Sequence, residues 1–165
     1  HDTRLLVTAV LAGALSGHTV ETVNMVNAAE RARERGIEWS DSATTVARDY
    51  TSRLKVAIGD ASVAGTTVGS TSRPRLVEVL GESIELELAP HVGILRYRDE
   101  PGQIGTVGTV MAGEGINIAS MAVGRSTEGQ ATMGVTVDSP VPAEAQAAIA
   151  KGCDAQVWFV DLDIP

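Results

Sequence analysis

The sequence predicts an α+β fold made of two modules, and three observations support this class. The chain has 165 residues, of which 44% are apolar, enough to bury the core of one compact domain or two small ones. Short runs of alternating apolar and polar residues fill 37–88, as in half-buried antiparallel strands. From residue 90 onward, strand and helix patterns follow each other in the order β-α-β-β-α-β.

The first module is predicted to span residues 1–88 and to begin with a helix. Residues 5–15 place apolar side chains on several faces, which is typical of a buried helix. Asp2 or Thr3 is the candidate N-cap, and Gly17 is the candidate stop.

A second helix is predicted between residues 20 and 37. This segment begins with a short strand-like piece and continues from about Asn27 as a polar helix rich in Ala, Glu and Arg. Gly36 is the expected stop. Its alternating acidic and basic residues indicate a solvated helix face.

The rest of the first module is predicted to be a meander of antiparallel strands. Five runs rich in Val, Ile and Thr are the candidates: 43–47, 53–60, 62–70, 75–81 and 83–89. Gly59-Asp60 and the stretch 81–83 are the candidate hairpin turns. The last run alternates strictly, so one of its faces is expected to be wet.

The second module is predicted to span residues 90–165. Its elements are a strand at 91–99, a helix at 102–115, strands at 117–126 and 129–138, a helix at 142–152 and a strand at 155–163. This order predicts the ferredoxin-like arrangement, a four-stranded antiparallel sheet with two helices on one face. The other sheet face would be bare in a monomer, so it must be polar or find a partner.

Charge and composition exclude several functions. The net charge of −8 argues against a nucleic-acid surface, because phosphate backbones require positive faces. Cys153 is the only cysteine, so neither a disulfide nor a cysteine metal site can form within one chain, and a reducing, cytoplasmic location fits. No apolar run approaches the roughly 18–20 residues of a membrane helix. Because the chain starts at His1 rather than methionine, we expect a fragment of something longer.

The stretch around residue 102 is rich in glycine but does not match a phosphate-binding loop. Gly102, Gly105 and Gly108 recur every three residues, which fits neither G-x-G-x-x-G nor G-x-x-x-x-G-K-[ST]. We therefore interpret Gly105 and Gly108 as positions where the helix closely approaches the sheet or another helix.

Asp99 and Asn117 flank this helix and offer complementary polar groups. A carboxylate can take an ammonium group, while an amide and the N–H groups of a helix N-terminus can take a carboxylate. The pair could thus hold a zwitterion. The residues leave a second interpretation open, in which Asp99 is an N-cap and Asn117 a turn residue.

Several motifs carry a resemblance that spans nearly the whole chain. DEPGQIG (99–105), INIA (116–119) and VGR (123–125) resemble the ACT domain that ends D-3-phosphoglycerate dehydrogenases. DTRLLVTAVLAGALS (2–16) and ETVNMVNAAERARERGI (21–37) resemble the intervening domain of the long type of these enzymes. The two modules in this order are more specific than an ACT motif alone.

The resemblance implies a regulatory portion of an enzyme that oxidises 3-phosphoglycerate with NAD, the first step of serine synthesis. The catalytic and nucleotide-binding domains of that family precede these modules, so no cofactor is expected here and NAD belongs to the parent enzyme. The implied partners are L-serine, the ACT domain of a second subunit, and the catalytic domains. The implied effector contacts are Tyr97, Asp99, Pro101, Gly102, Ile104 and Asn117.

Tyr97 has an alternative interpretation as a strand residue that packs its ring on a neighbour. The family's intervening domain is associated with anion or substrate binding, and Arg73 and Arg75 are the candidates, with Arg53 and Lys55 nearby in the sheet. A solvated strand end is the simpler interpretation of the two arginines.

No catalytic or metal-binding residue is predicted. The three histidines, at positions 1, 18 and 91, show no carboxylate arrangement that suggests a general base. Three alternatives remain: an ACT domain that assembles the oligomer without binding serine, a regulatory segment of an iron–sulfur L-serine dehydratase, and a free-standing enzyme.

Overall fold

A computed structural model describes residues 3–16, 18–19, 21–44 and 50–164. The chain divides into two compact units, residues 1–49 and 50–165. The first unit is helical, and the second contains two antiparallel sheets and two helices. These elements confirm the predicted α+β class.

The first unit contains α1 (Arg4–Leu15) and α2 (Ala28–Glu34). The two helices pack through a small core of buried side chains, which are Leu11, Leu15, Ala28 and Ala32. Beside it the guanidinium of Arg33 lies 5.1 Å from the ring centre of Trp39, a cation–π contact that adds to the packing.

The predicted strand-like piece before α2 is wrong. Residue 20 lies outside the described residues, and none of residues 21–27 is in a strand: residue 21 is a bend and 25–27 form a turn, where the Asn24 and Asn27 side chains bond to nearby backbone. The Asn24 N–H donates to Asn27 Oδ1 (2.8 Å), and the Val26 N–H donates to Asn24 Oδ1 (2.9 Å). Such local bonds compete with strand pairing.

The helix ends agree partly with the sequence. Gly36 ends α2 as predicted, since its N–H bonds to Arg33 O and the Ile37 N–H bonds to Ala32 O, both at 2.9 Å. Thr3 is the N-cap of α1, but its side chain makes no cap bond. The other proposed cap and stop, residues 2 and 17, lie outside the described residues, as do residues 45–47 of the first predicted strand; residues 43–44 have no regular structure.

The first sheet of the second unit confirms the predicted meander. Its strands are β1 (Leu54–Ile58), β2 (Ala61–Val68), β3 (Arg73–Val79) and β4 (Glu82–Glu87), in the order β1-β2-β3-β4. Gly59-Asp60 forms the first turn, as predicted.

The second of the two predicted hairpin turns, which joins β3 to β4, begins one residue earlier than predicted. It is Leu80-Gly81, both with positive φ (52° and 86°), and Glu82 already pairs with Val79. Two positive φ values match the twist of a two-residue hairpin, so the turn forms despite the cost of a left-handed leucine.

The second sheet has the predicted βαββαβ order. Its elements are β5 (His91–Arg98), α3 (Gln103–Gly113), β6 (Ile118–Arg125), β7 (Gln130–Val137), α4 (Ala143–Cys153) and β8 (Gln156–Asp161). The strand order is β6-β7-β5-β8, which is the ferredoxin-like arrangement. Side chains at most 1% exposed form the core that joins this sheet to its helices, among them Leu95, Val107, Met111, Met133 and Ile149.

Part of the other face of this sheet is covered within the same unit, so the expectation of a bare face is wrong for that part, while Trp158 and Val160 of β8 stay exposed (44% and 48%). Ile84 and Leu86 of β4 are buried and pack with Val92, Ile94 and Ala122 of the second sheet. Ser83 and Glu85, which alternate with them along β4, are exposed. Burying an aliphatic side chain of this size contributes about 1.5–3 kcal/mol. The alternation in β4 therefore reflects a buried face against the second sheet.

Two glycines allow β4 to lie this close. A Cβ added at Gly124 would lie 2.5 Å from Ser83 O, and one at Gly134 would lie 2.9 Å from Leu86 Cδ2. The added Cβ would force a backbone shift at Gly124, where it meets a carbonyl oxygen, and a movement of the leucine side chain at Gly134. In the described part of the chain, no helix is both long and apolar enough to cross a membrane.

Gly124→Ala should lower the free energy of unfolding by about 1–3 kcal/mol, because the new methyl group meets a backbone carbonyl. Gly113→Ala is the matched control, since a Cβ there meets nothing within 4 Å and helical alanine is favoured by about 0.5–1 kcal/mol. Urea unfolding followed by circular dichroism measures both. Equal urea midpoints of unfolding for the two variants would contradict the close packing of β4 against Gly124.

Candidate functional site

The turn between β5 and α3 forms a concave site at one corner of the second sheet. Gly102 is the N-cap residue of α3, with φ +101°, a conformation that side chains rarely adopt. No side chain caps this helix. The first N–H groups of α3 thus face the turn without a side-chain acceptor, and the interpretation of Asp99 as the N-cap is wrong.

A cavity of about 410 Å³ opens at this turn. Its lining residues are Tyr97, Asp99, Glu100, Pro101, Gly102, Gln103, Ile104, Gly105 and Arg125. Five of the six predicted effector contacts are in this set, and Asn117 is the one that is missing. Arg125, which the sequence analysis did not include among those contacts, joins them.

Asp99 is fixed by a strand-end hydrogen bond and an ion pair. Its N–H donates to Gly129 O (2.9 Å), and its Oδ2 accepts from Arg125 Nε (2.9 Å). Next to it, Arg98 Nε lies 3.8 Å from Glu100 Oε1. The side chains of both pairs are largely exposed, so each pair contributes at most about 1 kcal/mol and can rearrange.

Tyr97 is a packed strand residue, as the alternative interpretation has it, and it also lines the cavity, while its contact with an effector stays a prediction. Only 3% of the residue is exposed, and it belongs to the core cluster between the sheet and its helices. Burial raises the pKa of the Tyr97 phenol, the negative charge of Asp99 adds to this, and Arg125 opposes it. The hydroxyl therefore stays protonated and able to donate a hydrogen bond.

Asn117 lies at the opposite end of the sheet. Its N–H donates to Asp138 Oδ1 (3.0 Å), and its carbonyl accepts from the Asp138 N–H (3.1 Å), while the residue is exposed. The next residue, Ile118, is level with Val137, whereas Arg125 is level with Ala131. At about 3.3 Å per residue, Asp99 and Asn117 of one chain are roughly 25 Å apart.

Gly105 and Gly108 do not lie where two elements meet closely, so that interpretation is wrong within this chain. A Cβ at either position meets nothing within 4 Å. Approaches under 3 Å occur instead at Gly93, Gly124 and Gly134 in the second sheet and at Gly152 in α4. The three-residue spacing correctly places both glycines on one flank of a helix, but it does not predict whether another element packs on that flank.

The candidate anion residues of the first sheet are paired with acids. Arg73 and Arg75 lie 3.6 and 3.3 Å from the two carboxylate oxygens of Glu87. Elsewhere in the same sheet, Arg53 and Lys55 both contact Glu78 of β3. Each pair of cations thus shares one carboxylate, which leaves one net positive charge for an anion.

One histidine has a carboxylate partner that the sequence analysis missed. His91 Nδ1 lies 2.7 Å from Asp161 Oδ1, across the β5–β8 pairing and 70 residues away in the chain. Among the described residues, no group of three or more His, Cys, Asp and Glu side chains could hold a metal ion. Cys153 is buried against α3, and burial raises the pKa of its thiol, so it is not activated as a nucleophile.

Comparisons with known proteins identify the two modules. Residues 1–80 match the family model of the D-3-phosphoglycerate dehydrogenase intervening domain, and residues 92–151 match that of the ACT domain. The chain is 34% identical to D-3-phosphoglycerate dehydrogenase of Synechocystis sp. over 88% of its length and 27% of the relative's. It is 35% identical to that of Bacillus subtilis (78% and 25%) and 32% identical to that of Methanocaldococcus jannaschii (86% and 28%). The chain thus spans about a quarter of the length of these relatives.

Glu78→Gln should make the first sheet less sensitive to acid. The hydrogen bond from Lys55, followed by the charges of Lys55 and Arg53, lowers the pKa of Glu78. A lowered pKa stabilises the folded state above about pH 4.5, and this contribution is lost as the pH falls through the folded value. Because the cations are partly exposed, we expect the variant to be about 1 kcal/mol less stable at pH 7.

Urea unfolding at a series of pH values measures this difference, which should shrink toward zero as the pH falls below the folded pKa. Glu128→Gln, at an exposed acid with no ion pair among the described residues, is the control and should not differ from the wild type. A stability difference that is the same at pH 7 and pH 3 would contradict the assignment.

Proposed function

The chain belongs to the D-3-phosphoglycerate dehydrogenase family, of which it carries the intervening domain and an ACT domain, and we propose that it binds L-serine as a feedback sensor. The observation that carries this proposal is the cavity at the β5–α3 turn, where Tyr97, Asp99 and the uncapped start of α3 converge. The proposed site is completed by a second copy of the chain.

A second copy is required because Asn117 is remote from the turn. β6 is an edge strand of the sheet. If the β6 strands of two copies pair antiparallel about a twofold axis, the start of one meets the end of the other. Asn117 of one protomer then comes beside Asp99 and Arg125 of its partner, and the two sheets join into one of eight strands. The symmetry gives two such sites.

The outer flank of α3 supports this side-by-side arrangement. Thr106 of α3 faces α4, because a Cβ at Gly152 of α4 would lie 2.8 Å from Thr106 Cγ2. Gly105 and Gly108 lie on the flank away from that contact, with open space around them, and Ile104 is 52% exposed. Small residues here let the α3 helices of two protomers pack closely.

The groups at the turn suit a small amino acid with a hydroxyl. Asp99 can accept hydrogen bonds from an ammonium group, and the first N–H groups of α3 can donate to a carboxylate. The protonated Tyr97 hydroxyl can bond to the ligand hydroxyl. The amide of Asn117 from the partner closes the site. A nucleotide phosphate would need more positive charge than this turn carries.

Binding at this turn has a short route to the first sheet. Arg125, which pairs with Asp99, directly follows Gly124, and Gly124 lies against Ser83 of β4. A ligand that favours one position of the turn would thus favour one position of β4, and a coupling of about 1–3 kcal/mol is typical of allosteric proteins.

The parent enzyme is proposed to be a cytoplasmic, NAD-dependent 3-phosphoglycerate dehydrogenase whose catalytic domains this chain regulates. A second candidate is an ACT domain that only assembles the oligomer. It is favoured by the Asp99–Arg125 ion pair, which occupies Asp99 without any ligand. Calorimetry distinguishes the two.

Titration of the chain with L-serine in a calorimeter should give saturable heat, with little or none for D-serine and glycine. Asn117→Ala should abolish or greatly weaken the binding while the dimer persists in analytical ultracentrifugation, because the side chain is exposed within one chain. A folded wild-type dimer that gives no heat with L-serine would leave only the assembly role.

A mixing experiment tests whether each site is shared between two protomers. Asp99→Ala and Asn117→Ala should each fail to bind L-serine alone. After subunit exchange in an equal mixture, half of the dimers are mixed, and each has one site with both residues intact, so about a quarter of the wild-type binding capacity returns. If Asp99 and Asn117 served the same site from one chain, the mixture would bind no L-serine.

A further inference from the structure

We propose that Arg125 binds the α-carboxylate of the ligand, and that the Asp99–Arg125 pair makes this site selective for a zwitterionic α-amino acid. The inference rests on the proposed function and adds a residue to the effector site. Its basis is the way in which the two side chains meet at the edge of the cavity.

The two side chains meet through one hydrogen bond only. Arg125 Nε donates to Asp99 Oδ2 at 2.9 Å. Within the part of the chain that the structure describes, the two terminal guanidinium nitrogens and Asp99 Oδ1 have no hydrogen-bond partner. A guanidinium bound through Nε alone keeps donors on its other nitrogens, so the pair can receive further polar groups without first separating.

The terminal guanidinium nitrogens of Arg125 and Oδ1 of Asp99 are accessible to a ligand. The Arg125 side chain is 64% exposed and that of Asp99 is 33% exposed, and both residues line the cavity. The backbone of Arg125 is nevertheless held, since it pairs with Ala131 in the sheet and follows the tightly packed Gly124. The guanidinium therefore projects from a fixed position at the end of β6.

The charges of the pair match those of an α-amino acid placed beside it. An amino acid carries an ammonium and a carboxylate on one carbon, so its charges can lie head to tail along the pair. The ammonium then bonds to Asp99 Oδ1, and the carboxylate accepts two N–H donors of Arg125. Charge-assisted bonds of this kind are about twice as strong as neutral ones, and the planar guanidinium favours two-point contact.

The charge balance of the turn favours a ligand without net charge. The turn contains two acids, Asp99 and Glu100, and two arginines, Arg98 and Arg125, which form two ion pairs. A zwitterion adds one charge of each sign and leaves this balance unchanged. A ligand that lacks the carboxylate leaves the donors of Arg125 unmatched, and a dicarboxylic acid adds a charge that nothing here compensates.

The test compares L-serine with L-serinamide, which lacks the carboxylate charge, on the wild-type chain, Arg125→Ala and Arg125→Lys. Calorimetry should give at least about tenfold weaker L-serine binding to Arg125→Ala, equivalent to about 1.4 kcal/mol. L-Serinamide should bind the wild-type chain more weakly than L-serine does. It should bind Arg125→Ala no more weakly than it binds the wild-type chain. Lysine, which keeps the charge but loses the fork, should give an intermediate affinity for L-serine.

Arg98→Ala is the matched control, since it removes a guanidinium at the same turn that pairs with Glu100 rather than Asp99. It should bind L-serine as the wild type does. Circular dichroism and ultracentrifugation verify that each variant folds and dimerises.

Three outcomes would overturn the inference. Unchanged L-serine binding by Arg125→Ala would exclude a contact with the ligand. An equal loss of L-serine and L-serinamide would assign Arg125 a role only in holding Asp99. In both cases the wild type still binds L-serine and the proposed function stands. A wild-type dimer that binds neither compound would overturn the proposed function and this inference together.

Discussion

The second unit depends on the packing of β4 against the sheet that β5, β6, β7 and β8 form. A four-stranded sheet with helices on one face must cover its other face, and here Ile84 and Leu86 cover part of it. Gly124 and Gly134 make room for this packing, because they present no Cβ to the crossing strand. The packing of β4 therefore joins the meander sheet to the βαββαβ sheet. Gly124, which lies under β4, directly precedes Arg125, so β6 contributes both to the covered face and to the cavity.

Strand order separates the residues that the proposed site needs. β5 and β6 both pair antiparallel with β7, so they run in the same direction. Asp99 follows the end of β5, Arg125 ends β6, and Asn117 precedes the start of β6. The first two meet in one chain, and the third cannot join them without a second copy. Symmetric pairing at an edge strand removes this separation and at the same time protects the exposed edge.

The sequence could predict whatever depends on local pattern, but not what depends on contacts between distant segments. Element order in the second module followed from periodicity, and the alternation in β4 correctly indicated one buried face. The surface opposite β4 was not predictable, because nothing local distinguishes a glycine under a crossing strand, such as Gly124, from one on an open helix flank, such as Gly105. Likewise, Asp99 and Arg125 are 26 residues apart, and only the strand order brings them together.

Exposed ion pairs occur at both candidate ligand sites, and the groups around each pair determine whether a ligand can bind there. Glu87 contacts both Arg73 and Arg75 on a strand surface, where an incoming anion would compete with that carboxylate. At the β5–α3 turn, Arg125 keeps donors beyond its one bond, and uncapped helix N–H groups lie in the same cavity. An exposed pair is worth too little to exclude a ligand that offers better bonds. A zwitterionic ligand gains the most binding free energy where it can bond to both members of an ion pair without separating them. The proposal places such a ligand at the Asp99–Arg125 pair, in the turn after β5.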